Sequence, residues 1–219
     1  MINYDKKKVV ICSNYAWTIF NFRMPLIRSL TQSGYRVVVI TQFDGYEKKI
    51  VNEVYKVYSL HISRKGINPL TDLITIYDLI KKLSFIKPDY FLPFTIKPVI
   101  YGSIAARLNN VPNIATITGL GTVFISRNWI TSVVKFLYRF SLKKAKVVFF
   151  QNNDDKELFI RDGLVNPNVC KLTPGSGIEL DKFKVYDLPN LPKMKFILIA
   201  RMLADKGIFE YVNAARYLK

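Results

Sequence analysis

An alternation along the chain constrains it more than any single motif. The short β-branched and aromatic runs KVVICS (8–13), RVVVIT (36–41), VYSLHI (57–62), DYFLPF (89–94), NIATIT (113–118), KVVFFQ (146–151) and NVCKLT (168–173) read as strands with both faces buried. Helical patterns fall between most of them. In FNFRMPLIRSLTQSG (20–34) the apolar Phe20, Met24, Ile27 and Leu30 recur at helical spacing, Pro25 fits only near the first turn and Gly34 supplies the stop. NPLTDLITIYDLIKKLSFIKP (68–88) opens with Asn68 as N-cap and Pro69 at the first helical position, and ends before Pro88. Strand, helix, strand in repetition predicts an α/β chain with a mostly parallel sheet covered on both faces. Such a sheet takes ligands outside the carboxyl ends of its strands.

The alternation is interrupted once. After GSGIELDKF (175–183), the stretch KVYDLPNLPKMK (184–195) has two prolines and no periodicity and reads as a linker. FILIAR (196–201) is then another candidate buried strand, and KGIFEYVNAARYLK (206–219) an amphipathic helix. The expected organisation is a first domain over 1–183, a linker over 184–195, and over 196–219 the first β-α unit of a second domain that is begun and not finished. One such unit cannot bury both faces of its strand. No internal repeat or low-complexity tract is present.

Composition narrows the partners. With 50% hydrophobic residues in 219, the chain can build a large core, which excludes a disordered protein. Lys and Arg number 33 against 16 Asp and Glu, a net +17 that calls for an anionic partner: nucleic acid, an acidic membrane surface or phosphorylated substrates. Nucleic acid is not expected, because the aromatics sit mainly in core-like strands and no recognised RNA- or DNA-binding motif occurs. Cys12 and Cys170 lie far apart in apolar runs and read as buried structural thiols; no metal site is expected. His61, the only histidine, reads as a core or edge imidazole. The start, MINYDKKKVVICSNY, lacks the apolar run of a signal peptide, and no 18-residue apolar stretch exists. The default expectation is a cytoplasmic protein, with contact to a membrane surface open.

Three loops or helix starts carry chemistry. ARMLADKGIFEYV puts Arg201 at the end of a strand and Lys206 beside Gly207 at the start of a helix, where two cations and free N–H groups suit a diphosphate. PGSGIEL (174–180) follows a strand, and Gly175, Ser176 and Gly177 allow a backbone to approach a ligand between domains, or form a tight turn and nothing more. In ITGLGTVFISRNWITSVVKFLYRF (117–140), Gly119 and Gly121 fall in the loop after a strand. In the helix beyond, Lys135, Arg139 and Lys143 form a cationic stripe beside Trp129, Val133, Phe136, Leu137 and Phe140. That helix suits an anionic lipid headgroup layer, or is a sheet-covering helix with a solvated basic face.

With these motifs in order, the chain resembles the family-4 retaining glycosyltransferases, which have the two-domain, Rossmann-like GT-B fold. TPGSGIELDKF, the linker and FILIARMLADKGIFEYVNAARYLK resemble the interdomain segment and first β-α unit of that family's second domain. SNYAWTIFNFRMPLIRSL, TIKPVIYGSIAARL, TITGLGTVF and FFQNNDDKELF are similar to bacterial members that transfer N-acetylhexosamine-type sugars to polyprenyl-diphosphate-linked acceptors. The resemblance covers essentially the whole chain. It implies that Arg201 and Lys206, with Gly207, hold the nucleotide-sugar diphosphate, and that Gly175, Ser176 and Gly177 form the cleft loop near the donor. It also implies that Asn14, Trp17, Asn21 and Arg23, with Thr118, Gly119 and Gly121, lie where acceptor and donor phosphates meet.

The implied substrates are a nucleotide-sugar, UDP-linked, and a lipid-linked glycan acceptor in surface polysaccharide or glycan assembly, with no cofactor and no metal. The implied location is peripheral, on the inner face of the cell membrane, with Lys135, Arg139 and Lys143 towards an anionic surface. Where many members have a His near the end of the fifth strand, this chain has Thr116 and Thr118, so no catalytic residue or general base is assigned. The family's paired-glutamate motif has no counterpart before Lys219, so an incomplete enzyme, inactive alone, is expected. The alternative is a non-catalytic, membrane-associated binding module that needs a separate donor-domain chain.

Overall fold

The computed structural model describes residues 7–63, 68–121, 124, 129–187 and 194–218. The chain divides into two compact units, one through Leu180 and one from Asp181.

All seven expected strands of the first unit form: β1 (Lys8–Tyr15), β2 (Arg36–Gln42), β3 (Lys56–Ser59), β4 (Tyr90–Pro93), β5 (Ile114–Ile117), β6 (Val147–Phe150) and β7 (Cys170–Leu172). Every pairing is parallel, in the orders β3-β2-β1-β4 and β5-β6-β7. Parallel bridges from Phe91 to Asn113 and from Phe94 to Thr116 set β5 beside β4. The strand order therefore runs 3-2-1-4-5-6-7 and reverses between β1 and β4, the point at which such sheets open a crevice for ligands.

Helices cover both faces, as the doubly buried strands require. On one face lie α1 (Ala16–Phe22), α2 (Met24–Gln32) and α3 (Glu47–Ile50), where Ile11, Val37 and Val39 of the sheet meet Ile19, Ile27 and Ile50. On the other lie α4 (Pro69–Ile86), α5 (Ser103–Leu108), α6 (Trp129–Leu142) and α7 (Asn153–Arg161). There Leu79, Leu83, Tyr138 and Phe159 bury Phe91 and Phe150. Asn68 caps α4 as expected, its side-chain oxygen accepting from Leu70 N at 3.1 Å and Thr71 N at 3.4 Å.

Local departures from the sequence reading have physical causes. The helix expected over 20–34 is two helices, α1 starting earlier at Ala16, with a break at Arg23 (φ −125°, ψ −5°). Pro25 has no N–H to give Asn21, so a continuous helix would leave that carbonyl unpaired. The ladder of β3 stops at Ser59 and not at 62: Leu60 N makes its last bond to β2, to the Thr41 carbonyl at 2.9 Å, and beyond it the His61 carbonyl accepts from Thr75 on α4. Cys12 is fully buried, but Cys170 is only half-buried. His61 is an edge residue, its side chain 82% exposed and Nδ1 3.8 Å from Asp78.

In the second unit the helix forms as α8 (Ile208–Tyr217), while the expected strand over 196–201 makes no ladder among the described residues. Ile197 and Ile199 are 81% and 88% exposed, because a strand without a neighbouring strand has nothing to bury its faces. Of the expected linker, residues 188–193 lie outside the described residues, as do residues 1–6 of the start read for a signal peptide.

Candidate functional site

The break between α1 and α2 places Arg23 against the end of β4. Its guanidinium carbon stands 4.1 Å from the centroid of the Phe94 ring, and the residue is only 8% exposed. Nη1 donates to Ser176 Oγ at 3.1 Å, and Gln151 Nε2 donates to the same oxygen at 2.8 Å. No carboxylate pairs with Arg23 among the described residues. Burial lowers its pKa to about 10, which still leaves it charged at neutral pH. A buried charge without a counter-ion is unfavourable, and the arrangement fits a site whose counter-ion is a ligand.

The space in front of Arg23 is a cavity of about 260 Å³ with Phe22, Leu26, Phe94, Thr116, Gln151 and Ser176 among its lining. Alternate residues of β4, β5 and β6 build its floor because side chains of a strand point to one face at every second position. The loop after β7 brings Ser176 in. Gly175 (φ +72°) and Gly177 (φ +74°) flank it in left-handed backbone, with nothing within 4 Å of where a Cβ would stand, so the requirement for glycine is one of backbone angle and the space beside it is open. Arg28 on α2 holds the same loop, bonding both carboxylate oxygens of Glu53 at 2.6 and 2.8 Å and pairing with Glu179.

At the reversal point itself, Asn14 N donates to Thr95 Oγ1 at 3.3 Å, and Asn14 Oδ1 is buried without a partner among the described residues. Thr95 has φ +68°, a conformation a β-branched residue rarely adopts; such strain collects at functional sites.

Of the residues expected around acceptor and donor phosphates, Arg23 enters the cavity and Asn14 stands at the reversal point. Trp17 and Asn21 do not join them. Trp17 is 42% exposed with its ring edge on Phe22, its backbone N–H donates to Asp44 Oδ2 at 3.1 Å, and the exposed Asn21 amide bonds back to the Trp17 carbonyl at 2.8 Å. Thr118, Gly119 and Gly121 follow the carboxyl end of β5, with Gly121 against Ile96; residues 122–123 and 125–128 lie outside the described residues. In the second unit Arg201 is exposed, Lys206 Nζ lies 3.6 Å from Asp205, and Gly207 (φ +73°) caps α8.

The cationic stripe is less free than its spacing suggests. Lys135 pairs with Asp162 at 2.8 Å, Arg139 donates to the carbonyls of Gly163 and Asp162 at 2.9 and 2.7 Å, and Lys143 is exposed just past the end of α6. Sequence reading missed Phe94, Gln151 and the Arg28 clamp. The first two were open to it, since positions 92 and 94, 114 and 116, and 149 and 151 alternate along three expected strands. The clamp spans residues too distant in sequence to be paired by pattern.

Residues 8–152 match the sequence model of the glycosyl transferase 4-like family. The chain is similar to the N,N'-diacetylbacillosaminyl-diphospho-undecaprenol alpha-1,3-N-acetylgalactosaminyltransferase of Campylobacter jejuni, 28% identical over 229 residues, 97% of this chain and 61% of that protein. It is also similar to the UDP-Gal:alpha-D-GlcNAc-diphosphoundecaprenol alpha-1,3-galactosyltransferase of Escherichia coli, 28% identical over 164 residues, 69% of this chain and 41% of that protein. The chain thus spans about three fifths of the length of the first of these relatives and two fifths of the second. Among solved structures, Anabaena HepE in complex with UDP and glucose superposes with a TM-score of 0.60 at 15% identity, over 82% of this chain and 47% of that one, a likeness of fold.

Proposed function

Because the chain belongs to the glycosyl transferase 4-like family, we propose that it is a retaining glycosyltransferase that moves a sugar, an N-acetylhexosamine in our reading, from a nucleotide-sugar to a polyprenyl-diphosphate-linked glycan. The observation that carries this reading is Arg23, a buried guanidinium with no carboxylate partner among the described residues, facing a cavity beside the reversal of the sheet. Such a group is stabilised by a phosphate oxygen, and the apolar lining around it fits the hydrocarbon next to a lipid diphosphate. Arg23 then binds the acceptor diphosphate, with the Ser176 hydroxyl turned towards it.

In this reading Arg201 and Lys206, with the backbone N–H groups that follow Gly207, hold the UDP diphosphate. The acceptor hydroxyl oxygen forms the new bond to the anomeric carbon as the bond to the diphosphate oxygen breaks, on the same face of the sugar, and the hydroxyl proton passes to that departing oxygen. The negative charge that grows on the departing diphosphate is met by the two cations, which is where binding energy accelerates the reaction. The acceptor's lipid places the protein at the inner face of the cell membrane as a peripheral protein.

The test is transfer of radiolabelled sugar from a panel of UDP-sugars to polyprenyl-diphosphate-linked acceptors, by this chain and by the chain extended with a family-like second domain. Transfer by the extended chain, lost with Arg23→Met, is the expected result. No transfer from any donor by either chain overturns the reading.

A further inference from the structure

The helix α4 is apolar on two opposite sides. Inward, Thr75, Leu79 and Leu83 are fully buried and Ile86 nearly so. Outward, Leu70, Leu73, Ile74, Tyr77 and Phe85 are 74, 62, 56, 58 and 77% exposed. Their spacing is that of one continuous helical stripe, about 22 Å long at 1.5 Å per residue. A water-exposed helix that covers a sheet needs only the inner stripe, and an unpartnered apolar face of this extent marks an interaction surface.

We infer that this outward face of α4 is the surface by which the molecule lies on an anionic lipid bilayer, an inference that deepens the lipid-linked acceptor reading above and rests on it for the presence of a membrane. The charges beside the stripe choose the occupant. Lys81 is exposed within it, its Nζ 4.5 Å from the centroid of the Tyr77 ring. The two carboxylates of the helix are both turned to partners, Asp72 to Lys97 at 2.8 Å and Asp78 to Lys82. The face is therefore apolar and cationic, on a chain of net charge +17, which repels a second copy and is attracted to anionic headgroups.

The neighbouring helices extend the same surface. α5 packs against α4 and α6 against α5 on one side of the sheet. Their outward residues include Trp129 and Phe136, 72% and 64% exposed, and Arg107 stacked 4.1 Å from the centroid of Phe140. An aromatic and aliphatic face with cations at its margins is the composition of a helix that rests in the headgroup layer. No described helix is long and apolar enough to cross a membrane, so the helix lies along the surface. The stripe of Lys135 and Arg139 on α6, tied to Asp162 and the turn after α7, is secondary to it.

The experiment is co-sedimentation of the full chain with vesicles of phosphatidylglycerol and phosphatidylethanolamine, and with neutral phosphatidylcholine vesicles, without nucleotide-sugar or acceptor. Binding to the anionic vesicles is expected to exceed binding to neutral ones by about tenfold or more, and Leu73→Glu/Tyr77→Glu is expected to reduce it by a similar factor at an unchanged melting temperature. Lys135→Ala is expected to leave most of it. Undiminished binding by the double variant overturns the inference, as does equal binding of the wild-type chain to both vesicles or none to either. A wild-type dimer in light scattering that the double variant converts to monomer assigns the stripe to a second copy and overturns it too. Since no sugar is transferred in this assay, loss of the docking inference leaves the transfer test untouched, and failure of transfer leaves the vesicle result standing.

Discussion

Arg23 stacks on Phe94, guanidinium carbon 4.1 Å from the ring centroid, with no carboxylate beside it among the described residues. The contact joins the break between two helices to the end of β4, so the charge is fixed by the sheet and not by a flexible side chain in solvent. A cation–π contact and one hydrogen bond to Ser176 recover part of the hydration that Arg23 loses, and the remainder is left for a ligand.

Replacing Arg23 by Met is therefore expected to stabilise the unliganded chain while removing the affinity of this cavity for diphosphate. The expected gain is about 1 kcal/mol, or roughly 3 °C in melting temperature for a chain of this size. Burial lowers the guanidinium pKa from its ordinary value to about 10, so the folded state holds this proton less tightly than the unfolded chain. The penalty is present at every pH below 10 and is relieved only as pH rises above 10. The difference between wild type and variant should be flat from about pH 6 to pH 9 in urea titrations. Thermal shift with inorganic pyrophosphate supplies the second readout: a larger shift in wild type than in the variant, which keeps only Arg201 and Lys206.

Gly102 ends the helical turn Pro98–Gly102 that leads into α5, and a Cβ there would stand 2.6 Å from both Cε1 and Cζ of Phe91. Phe91 is fully buried beneath the helices, so the ring has nowhere to move. Gly102→Ala is expected to cost about 2 kcal/mol or more in equilibrium urea unfolding. A loss under about 0.5 kcal/mol would mean that the core under α5 is loosely packed.

The expected strands were legible because their burial on both faces leaves a run of β-branched and aromatic residues that no loop tolerates; KVVICS, RVVVIT and KVVFFQ all became central strands. Asn68 and Pro69 were legible because a cap is a local device. The break at Arg23 was less so, since the apolar spacing of Phe20, Met24, Ile27 and Leu30 runs across it as along one helix, and only Pro25 marks the start at Met24. The candidate site was half legible. Arg23 stands at the break between α1 and α2 and Ser176 in the loop after β7, but their meeting across 153 residues depends on β7 lying at the far side of β6, which sequence order does not dictate. The strand over 196–201 misled for the same reason in reverse, since a pattern records what a segment can bury and not whether a neighbour is there to bury it.

Asp162 sits in the turn after α7, its pKa held below the usual carboxylate range by the hydrogen bond from Lys135 at 2.8 Å. A carboxylate lowered in the fold contributes stability above its unfolded pKa and loses it as pH falls through the folded value. Lys135→Met is thus expected to destabilise by about 0.5 kcal/mol near pH 7, the scale of a partly exposed ion pair, with the difference fading towards pH 3. Thermal melts of both chains across that range check it. A difference that grows on acidification would mean that Lys135 acts through its aliphatic stem and not its charge.

Arg28 ties Glu53, at the turn before β3, to Glu179, in the loop that carries Ser176. The guanidinium is 39% exposed, so the network contributes little to global stability, and Arg28→Ala is expected to lower it by less than about 1 kcal/mol. Its effect falls on the loop, since Gly175 and Gly177 give that segment a backbone able to take many other conformations once Glu179 is released. Pyrophosphate affinity is expected to drop by about fivefold, because the loop must then be ordered on binding. Arg28→Lys is expected to rescue little, as an ammonium cannot bond both oxygens of Glu53 and reach Glu179 at once. Titration calorimetry separates this from a direct role: a lost clamp makes binding entropically worse with its enthalpy largely kept. An unchanged affinity in Arg28→Ala would show instead that Arg23 and Gln151 hold Ser176 without help from α2.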